Sequence, residues 1–345
     1  MEDFTYEDFG NYTYYEDDLT PHEESVFQHK STCTGDALCV SLLVITTTIF
    51  LLGSCGNALV IWISGFKMKK TVNTTWYLSL AISDFVFCIF LPFLIANMAM
   101  GRWIFGLFLC KFTSSVLFLN MFSSIFLLVV ISVDRCVSVI FPVWAQNHRT
   151  VRKASVIVIL AWVLAIGLSL PSAVFRDIKH QMGRSICYNN YTFHQHSHEI
   201  IGVSRFVGGF AVPFMVISVC YSVIILKLRT NRMTKSSKPF KVMTALIATF
   251  FICWLPYHVF ILLEVNQQHH NHYILTVGTQ VGTCLAAANS FLNPVLYVFM
   301  GNDFQQRCKT SLLSKMENAM GDDGRTTSRY LSRSSSMDGR VSTHI

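Results

Sequence analysis

Three charged residues lie within or at the end of apolar runs, where a charge is costly. Residues 112–133 contain no charged residue, and this run ends at Asp134 and Arg135, while Asp84 lies in the middle of another run. A carboxylate at the centre of a membrane costs at least about 2.5–3.5 kcal/mol, so Asp84 must face the protein interior. The adjacent acid and base can anchor a helix among lipid headgroups, or form a pair that is held in one state and released in another.

Asp84 has candidate partners with oxygen-bearing side chains on the other apolar runs. Oxygen ligands around one carboxylate suit a hard cation, for which Na⁺ is the extracellular candidate. The alternative is a structural hydrogen-bond network that joins the helices, and we favour the site for an ion and water. The candidate partners are Asn57, Asn120, Ser124, Asn289, Ser290 and Asn293.

The elements that must position these residues are seven long apolar runs. The chain has 345 residues, of which 52% are hydrophobic and 14% are charged. A soluble core does not require several uncharged runs of about 20 residues, whereas a bilayer does. The sequence therefore predicts an all-α membrane protein, a bundle of seven transmembrane helices over residues 37–301. The runs are residues 40–66, 74–100, 107–141, 151–174, 200–228, 242–264 and 274–300.

The distribution of charge predicts how the bundle is oriented. The net charge is +7, and Lys67, Lys69 and Lys70 lie in the first short loop, with further basic clusters after the third and fifth runs. The first 24 residues contain nine acids and no lysine or arginine. Because basic loops stay in the cytosol, we expect an extracellular N-terminus and a cytosolic C-terminus in a plasma-membrane protein.

Both chain ends carry candidate modification sites. Residues 1–36 form an acidic tail, predicted to be disordered, that either solvates the chain or attracts a basic partner. N-glycosylation sequons begin at Asn11 and at Asn190, in the loop after the fourth run. Residues 302–316 predict an amphipathic helix on the inner membrane surface, with Cys308 as a palmitoylation site. The tail 317–345 carries phosphorylation candidates, namely Thr326, Thr327, Ser328, Ser332, Ser334, Ser335 and Ser336.

Two of the eleven cysteines stand out by their position. Cys110 is at the outer end of the third run, and Cys187 is in the loop after the fourth. Both face the oxidising side of the membrane, so we expect a disulfide that holds this loop over the mouth of the bundle. The pairing of Cys33 with Cys39 is left open, as is sulfation of Tyr6, Tyr12, Tyr14 and Tyr15.

Motifs along the chain, in order, resemble those of rhodopsin-like G protein-coupled receptors over about residues 40–312. They comprise Gly56-Asn57, Asp84, Cys110, Asp134-Arg135-Cys136, Trp162, Pro213 with Tyr221, Cys253-Trp254-Leu255-Pro256, and Asn293-Pro294 with Tyr297. Segments 66–73, 119–122, 142–149 and 187–190 resemble the chemoattractant peptide branch, chemerin receptors most and formyl-peptide and anaphylatoxin receptors next. Cys136 replaces the tyrosine of most of the family, and that branch commonly shares the change.

The resemblance implies a role for each matching position. Asp134 is expected to hold Arg135 at rest and to release it towards a G protein. Trp254 is the expected toggle beside a hinge at Pro256. Ile125, Pro213 and Phe250 form the connector beneath the ligand pocket, while Tyr221, Asn293, Pro294 and Tyr297 act at the inner face. The implied partners are inhibitory-class G proteins, arrestin, receptor kinases and membrane lipids, and the implied responses are chemotaxis and calcium release.

The ligand is constrained by the charges that the runs contain and lack. The seventh run has no lysine that could form a Schiff base with retinal. Residues 110–120, the outer half of the third run, contain no acidic residue that could bind a small amine. Arg176 and Arg205 are the expected anion-binding residues, because a guanidinium binds a carboxylate with two hydrogen bonds. The alternative pairs Arg205 with a protein carbonyl or with Glu264. Further lining candidates are Glu264 itself, Asn97, Phe118, Tyr257 and Phe260.

Two kinds of ligand fit these charges. A peptide or small protein, with chemerin as the specific hypothesis, would insert its C-terminal carboxylate while its basic body meets the acidic tail. An anionic lipid mediator would use the same arginines and ignore residues 1–36. A decoy receptor that binds without signalling remains an alternative. No Ser/His pair, metal triad or broken-helix repeat favours an enzyme or a transporter, and no nucleic-acid partner is expected.

Overall fold

The computed structural model describes residues 36–181, 183–191, 197–230, 238–265 and 271–300. Several sequence predictions lie outside these ranges and stay predictions. They concern the tail 1–35 with Asn11, Cys33 and the tyrosines Tyr6, Tyr12, Tyr14 and Tyr15, the amphipathic helix 302–316 with Cys308, and the phosphorylation candidates of the C-terminal tail.

The described residues form a bundle of long helices with one short loop helix and one hairpin. The elements are α1 (Ala37–Trp62) with a π-helical turn (Ile63–Lys67), α2 (Val72–Met100), α3 (Gly106–Ile140), α4 (Pro142–His148), α5 (Val151–Phe175), β1 (Arg176–Gln181), β2 (Arg184–Asn189), α6 (Ser197–Phe206), a second π-helical turn (Val207–Ala211), α7 (Val212–Thr230), α8 (Lys238–Val265) and α9 (His272–Met300). The predicted fifth run corresponds to α6, the second π-helical turn and α7 together.

Six helical segments in the described ranges are long and apolar enough to cross a membrane. They are Ala37–Lys67, Val72–Met100, Gly106–Ile140, Val151–Phe175, His198–Lys227 and Thr244–Glu264. The seventh long helix, α9, has 29 residues and includes Gln280, Asn289 and Asn293. Apolar side chains such as Leu160, Val163 and Met215 are more than 60% exposed, which fits a surface that faces lipid rather than water.

Hydrogen-bonded caps fix the first turns of α2 and α5. Thr71 and Thr74 form a capping box at the start of α2, so the position of Asn73 in the first turn is well defined. The Thr150 hydroxyl accepts a hydrogen bond from the Lys153 amide and caps α5. At the outer end of α2, Gly101 adopts a positive φ of 60° and ends the helix.

Prolines and π-helical turns interrupt the regular helices. Pro92, Pro171, Pro256 and Pro294 lie inside α2, α5, α8 and α9. Pro213 is the second residue of α7, two positions after the second π-helical turn ends. A proline cannot donate to the carbonyl four residues earlier and its ring crowds that carbonyl, so a wider turn at this point accommodates it. The sequence predicted the prolines as kinks but did not predict either π-helical turn.

Glycines on α9 allow α8 to approach closely. A Cβ atom added to Gly282 would lie 2.9 Å from the backbone N and Cα atoms of Tyr257, and one on Gly278 would lie 2.1 Å from the Phe260 ring. The Phe260 ring therefore packs against the backbone of α9. Phe260 was predicted to line the ligand cleft, and this stays a prediction; the structure adds its contact with Gly278 at the interface between the two helices.

The loop after α5 folds into an antiparallel hairpin that the sequence did not predict. Strands β1 and β2 pair in the register Arg176↔Asn189 and Ile178↔Cys187. The expected disulfide between Cys110 and Cys187 is present and joins the hairpin to α3. The Trp103 amide also donates to the Ser185 carbonyl at 2.7 Å. Because of these connections, the hairpin holds Arg176 at a fixed place beside the mouth of the bundle.

Asn190, the first residue of the second sequon, directly follows β2. The Asn190 side-chain amide donates to Asp177 at 3.1 Å, and this hydrogen bond lowers the pKa of the Asp177 carboxyl. Cys39 at the start of α1 is disulfide-bonded, whereas its candidate partner Cys33 lies outside the described residues.

Candidate functional site

A cavity of about 420 Å³ opens between α1, α2 and α9, beside the end of α8 and the start of β1. Three predicted ligand-binding residues line it, namely Asn97, Arg176 and Glu264. The opposite wall is formed by α9 and is rich in hydroxyl and amide groups. The lining residues are Thr46, Phe87, Leu91, Leu94, Asn97, Met98, Arg176, Glu264, Leu275, Thr276, Thr279, Gln280, Thr283, Cys284 and Ala287.

Arg205 is buried beside this region, on α6, with only 8% of its surface exposed. Its Nη2 donates to the Ser172 hydroxyl at 2.9 Å, and its guanidinium carbon lies 3.6 Å from the centre of the Phe118 ring. Its Nε is buried and has no hydrogen-bond partner among the described residues. The alternatives weighed from the sequence, a protein carbonyl or Glu264, are therefore not the contacts that the described residues make with Arg205.

Arg176 is the first residue of β1, immediately after α5. Its Nη1 donates to the Cys187 carbonyl at 3.4 Å. Burial lowers the pKa of the Arg176 guanidinium, and the nearby Arg205 lowers it further, whereas Tyr257, Tyr191 and Glu264 raise it. Two cations thus lie in one poorly solvated region, which produces a strong local field that favours an anion.

Two tyrosines complete the surroundings of the arginines. Burial raises the pKa of the Tyr191 hydroxyl, although both arginines oppose this rise, so Tyr191 remains a neutral hydrogen-bond donor. Tyr257, which was predicted, interacts electrostatically with Arg176. Tyr191 and Ser172 were not predicted, because Tyr191 reaches the site through the hairpin and Ser172 looks like an ordinary small residue of a spanning helix.

Aromatic side chains connect the arginine region to the middle of the bundle. The ring centres of Phe118 and Tyr257 are 6.2 Å apart, those of Tyr257 and Trp254 are 5.8 Å apart, and those of Trp254 and Phe250 are 5.9 Å apart. Trp254, Phe250 and Ile125 are fully buried. A ligand that moves Phe118 or Tyr257 would therefore displace the expected toggle and connector through direct ring contacts.

His258 lies beside this row of rings and was not predicted. It is 1% exposed, its Nε2 has no described hydrogen-bond partner, and its ring centre is 6.3 Å from that of Trp254. Its position immediately after Tyr257 is the only sequence signal that could have pointed to it.

The predicted polar network forms around Asp84, which is fully buried. The side-chain amides of Asn120 and Asn293 donate to its two oxygens at 2.9 and 2.7 Å. Ser290 donates to the Asn120 oxygen at 3.2 Å, and the Asn57 amide donates to the Ser290 carbonyl at 2.8 Å. Residues of α2, α3 and α9 therefore meet at one carboxylate, and Asn57 connects α1 to this network through Ser290 of α9.

Some oxygens near this network lack a hydrogen-bond partner. The Ser124 hydroxyl and both polar side-chain atoms of Asn289 are buried and unpartnered among the described residues, as is the Asn57 side-chain oxygen. Ser124 lies one helical turn after Asn120 and thus on the same face of α3. A carboxylate with hydroxyl and amide oxygens fits a hard cation, whereas the described ranges contain no group of three His, Cys, Asp or Glu residues for a transition metal.

The charge pair at the end of α3 has an additional partner that the sequence did not predict. The Arg135 Nε lies 3.9 Å from Asp134, whereas the Arg149 Nε lies 2.7 Å from the same carboxylate. Both arginines are therefore within salt-bridge distance of Asp134, Arg149 makes the closer contact, and the role of Asp134 in holding Arg135 at rest stays a prediction. Nearby, Tyr221 shares a hydrogen bond with Thr244 of α8. The side chain of Tyr297 lies outside the described residues.

The bundle, its disulfide between α3 and the hairpin, and the buried residues that connect a cavity to the charge cluster around Asp134 define a seven-helix membrane receptor. The pattern of the "7 transmembrane receptor (rhodopsin family)" matches residues 56–297. The chain belongs to this family, which confirms the resemblance of its motifs.

Relatives assign the chain to the chemoattractant branch. It is 42% identical over 358 aligned positions to chemerin-like receptor 1 of Sus scrofa, covering 96% of this chain and 98% of that protein. It is 42% identical to chemerin-like receptor 1 of Homo sapiens, covering 94% and 91%. It is 40% identical to formyl peptide receptor 2 of Mus musculus, covering 88% and 91%. The chain is accordingly a multi-pass membrane receptor of this class and not an enzyme.

Proposed function

We propose that this receptor responds to a chemoattractant peptide or small protein, with chemerin as the specific candidate, whose C-terminal carboxylate binds at Arg205 and Arg176. It signals through inhibitory-class G proteins and arrestin, with receptor kinases acting on its tail, and drives chemotaxis and calcium responses from the plasma membrane. The observation that carries the proposal is a pair of neighbouring guanidinium groups, of which Arg205 is buried and Arg176 half-buried, that form no ion pair with a carboxylate among the described residues.

A buried guanidinium without an anion is costly, so the site gains stability when a ligand supplies the anion. The Nε of Arg205 lacks a protein partner, and Arg176 lines the cavity itself. A carboxylate placed between the two groups would receive charge-assisted hydrogen bonds in a region of low dielectric. Glu264, on the same cavity, supplies an acceptor for a donor elsewhere on the ligand.

The extracellular tail and the polar core complete the proposal. With its N-terminus outside, the acidic tail meets the basic body of the protein ligand and raises its encounter rate. A Na⁺ ion at Asp84 is the one proposed ion, held by the carboxylate and by hydroxyl and amide oxygens such as that of Ser124. Such an ion stabilises the resting arrangement of four helices and opposes activation.

The apolar part of the cavity lining favours an anionic lipid mediator as the second candidate. Phe87, Leu91, Leu94 and Leu275 all line the cavity and would contact an acyl chain, while the arginines bind the acid group. This ligand would not need the tail 1–36.

The experiment is a panel of ligands tested on full-length receptor and on a variant that lacks residues 2–30. Cells expressing either form are challenged with chemerin, formyl peptides, anaphylatoxins and lipid acids while cyclic AMP, calcium and arrestin recruitment are measured. A response to chemerin that weakens strongly on deletion supports the protein ligand. A response to lipid acids that is indifferent to the deletion supports the second candidate. Binding without any response identifies a decoy and contradicts the signalling role.

A further inference from the structure

The charge cluster at the cytosolic end of α3 differs from a simple acid–base pair. It comprises Asp134 and Arg135 of α3, Arg149 of the loop between α4 and α5, and Asn73 of α2. We propose that Arg149 is a positioning residue that occupies Asp134 and thereby leaves Arg135 restrained by the neutral Asn73, which makes the switch easier to release. The proposal rests on the coupling to G proteins proposed above.

The contact between Arg149 and Asp134 uses both carboxylate oxygens. The Nε of Arg149 donates to Oδ1 at 2.7 Å, and its Nη2 donates to Oδ2 at 2.8 Å. This two-point geometry is the strongest arrangement that a guanidinium makes with a carboxylate. Asp134 is only 13% exposed, so water replaces little of this contact. The favourable hydrogen-bonding directions of the carboxylate are largely used by Arg149.

Arg135 is left with a weaker partner. Its Nε lies 3.9 Å from Asp134, is buried, and makes no hydrogen bond among the described residues. Its Nη2 donates to the side-chain oxygen of Asn73, which also accepts from the Nη2 of Arg149. The amide oxygen of Asn73 is neutral, so it accepts a hydrogen bond from the guanidinium without the additional attraction between opposite charges that a carboxylate supplies. The free-energy cost of releasing Arg135 from Asn73 is therefore smaller than the cost of releasing it from Asp134 would be.

The elements around the cluster fix Asn73 and Arg149 in place. The capping box at Thr71 defines the first turn of α2, where Asn73 lies. The Arg149 amide donates to the Ala145 carbonyl of α4 at 3.0 Å, and Thr150 directly after it caps α5. Arg149 is thus attached to two helices that do not include Asp134. A partner that moved α4 would change which arginine Asp134 binds.

The sign of the effect follows from competition for one carboxylate. Without Arg149, Asp134 is free to bind Arg135, and a charged contact replaces the neutral one at Asn73. The resting state gains relative to the active state, so Arg149→Gln should lower ligand-free activation roughly fivefold, because a guanidinium bound to a carboxylate also gains the attraction of the opposite charge. If Arg149 only stabilised the resting state, its replacement by glutamine would instead raise ligand-free activation.

The test measures GTPγS uptake by an inhibitory-class heterotrimer with full-length receptor in nanodiscs, without ligand and across a chemerin titration. Arg149→Gln should reduce ligand-free uptake and shift the chemerin curve to higher concentration. Asp134→Asn should change uptake less than twofold when Arg149 is present, yet raise it roughly fivefold in the Arg149→Gln background. Asn73→Leu should raise ligand-free uptake, because Arg135 loses its acceptor. The matched control is Arg152→Gln, an exposed arginine three residues later, which should behave as wild type.

Each alternative outcome is decisive. Raised or unchanged uptake in Arg149→Gln, or equal effects of Asp134→Asn in both backgrounds, would overturn the proposal. The contact itself is checked without any G protein by a thermal-unfolding cycle, in which the Tm shifts of Arg149→Gln and Asp134→Asn should be clearly non-additive. If that coupling is present but wild-type receptor activates no G protein with or without chemerin, the proposed function fails. If wild type signals normally but the cycle is additive, the inference about Arg149 fails.

Discussion

Replacing Arg205 with alanine removes the buried cation to which we assign the ligand carboxylate. Losing one partner of a buried charge pair costs about 3–5 kcal/mol. The cost is smaller here because the alanine variant also avoids burying the guanidinium, although it loses the contact with the Phe118 ring. Arg176 remains and still attracts the anion. We therefore expect a loss of about 2–4 kcal/mol in ligand binding, which is a 30- to 700-fold loss of affinity.

The assay compares chemerin-derived peptides that end in a free acid or in an amide. Wild-type receptor should prefer the acid strongly, and Arg205→Ala should lose most of that preference because the amide never used the charge. The preference of Arg205→Lys for the acid should be intermediate between those of wild type and Arg205→Ala, since an ammonium keeps the charge but not the forked geometry. Arg102→Ala, at an exposed arginine outside the cavity lining, is the control, and surface expression is measured for every variant.

Two results would refute this reasoning. If Arg205→Ala left the affinities of both peptides unchanged, the carboxylate would bind elsewhere. If both peptides lost affinity equally, Arg205 would act on the shape of the site and not on the ligand charge.

Three further predictions concern the bundle. Gly282→Ala should lower the Tm more than Gly278→Ala, because the Cβ added at position 282 meets backbone atoms, whereas the one at position 278 meets a ring that can turn. The control is Gly167→Ala, whose added Cβ meets no described atom within 4 Å and should leave the Tm unchanged or slightly raised. Equal Tm values for the three variants would contradict this prediction. Asp84→Asn should abolish the difference in agonist affinity between NaCl and KCl buffers, expected to be about fivefold in wild type, and a retained difference would exclude the Na⁺ site. Arg135→Ala should preserve chemerin binding while nucleotide exchange is lost, and surviving exchange would reject its role in activation.

The sequence determined the membrane class and the helix count because both depend on local composition. An uncharged run of about 20 residues has few stable alternatives to a spanning helix. A buried carboxylate such as Asp84 must find polar partners, so Asn120 and Asn293 could be named in advance. The Cys110–Cys187 disulfide was predictable because topology leaves both residues on the oxidising side.

The tertiary structure decided which of several plausible partners each residue contacts. Asp134 has Arg135 beside it in the chain, yet Arg149 occupies it from 15 residues away and also reaches Asn73 from 76 residues away. Phe260 was predicted as a cleft residue, and the tertiary structure adds a contact between its ring and Gly278 of α9. These outcomes depend on how helices pack and on which side chain arrives with the better geometry. The sequence pattern identifies the possible contact partners of a residue, whereas only the packed bundle shows which of them are close and buried.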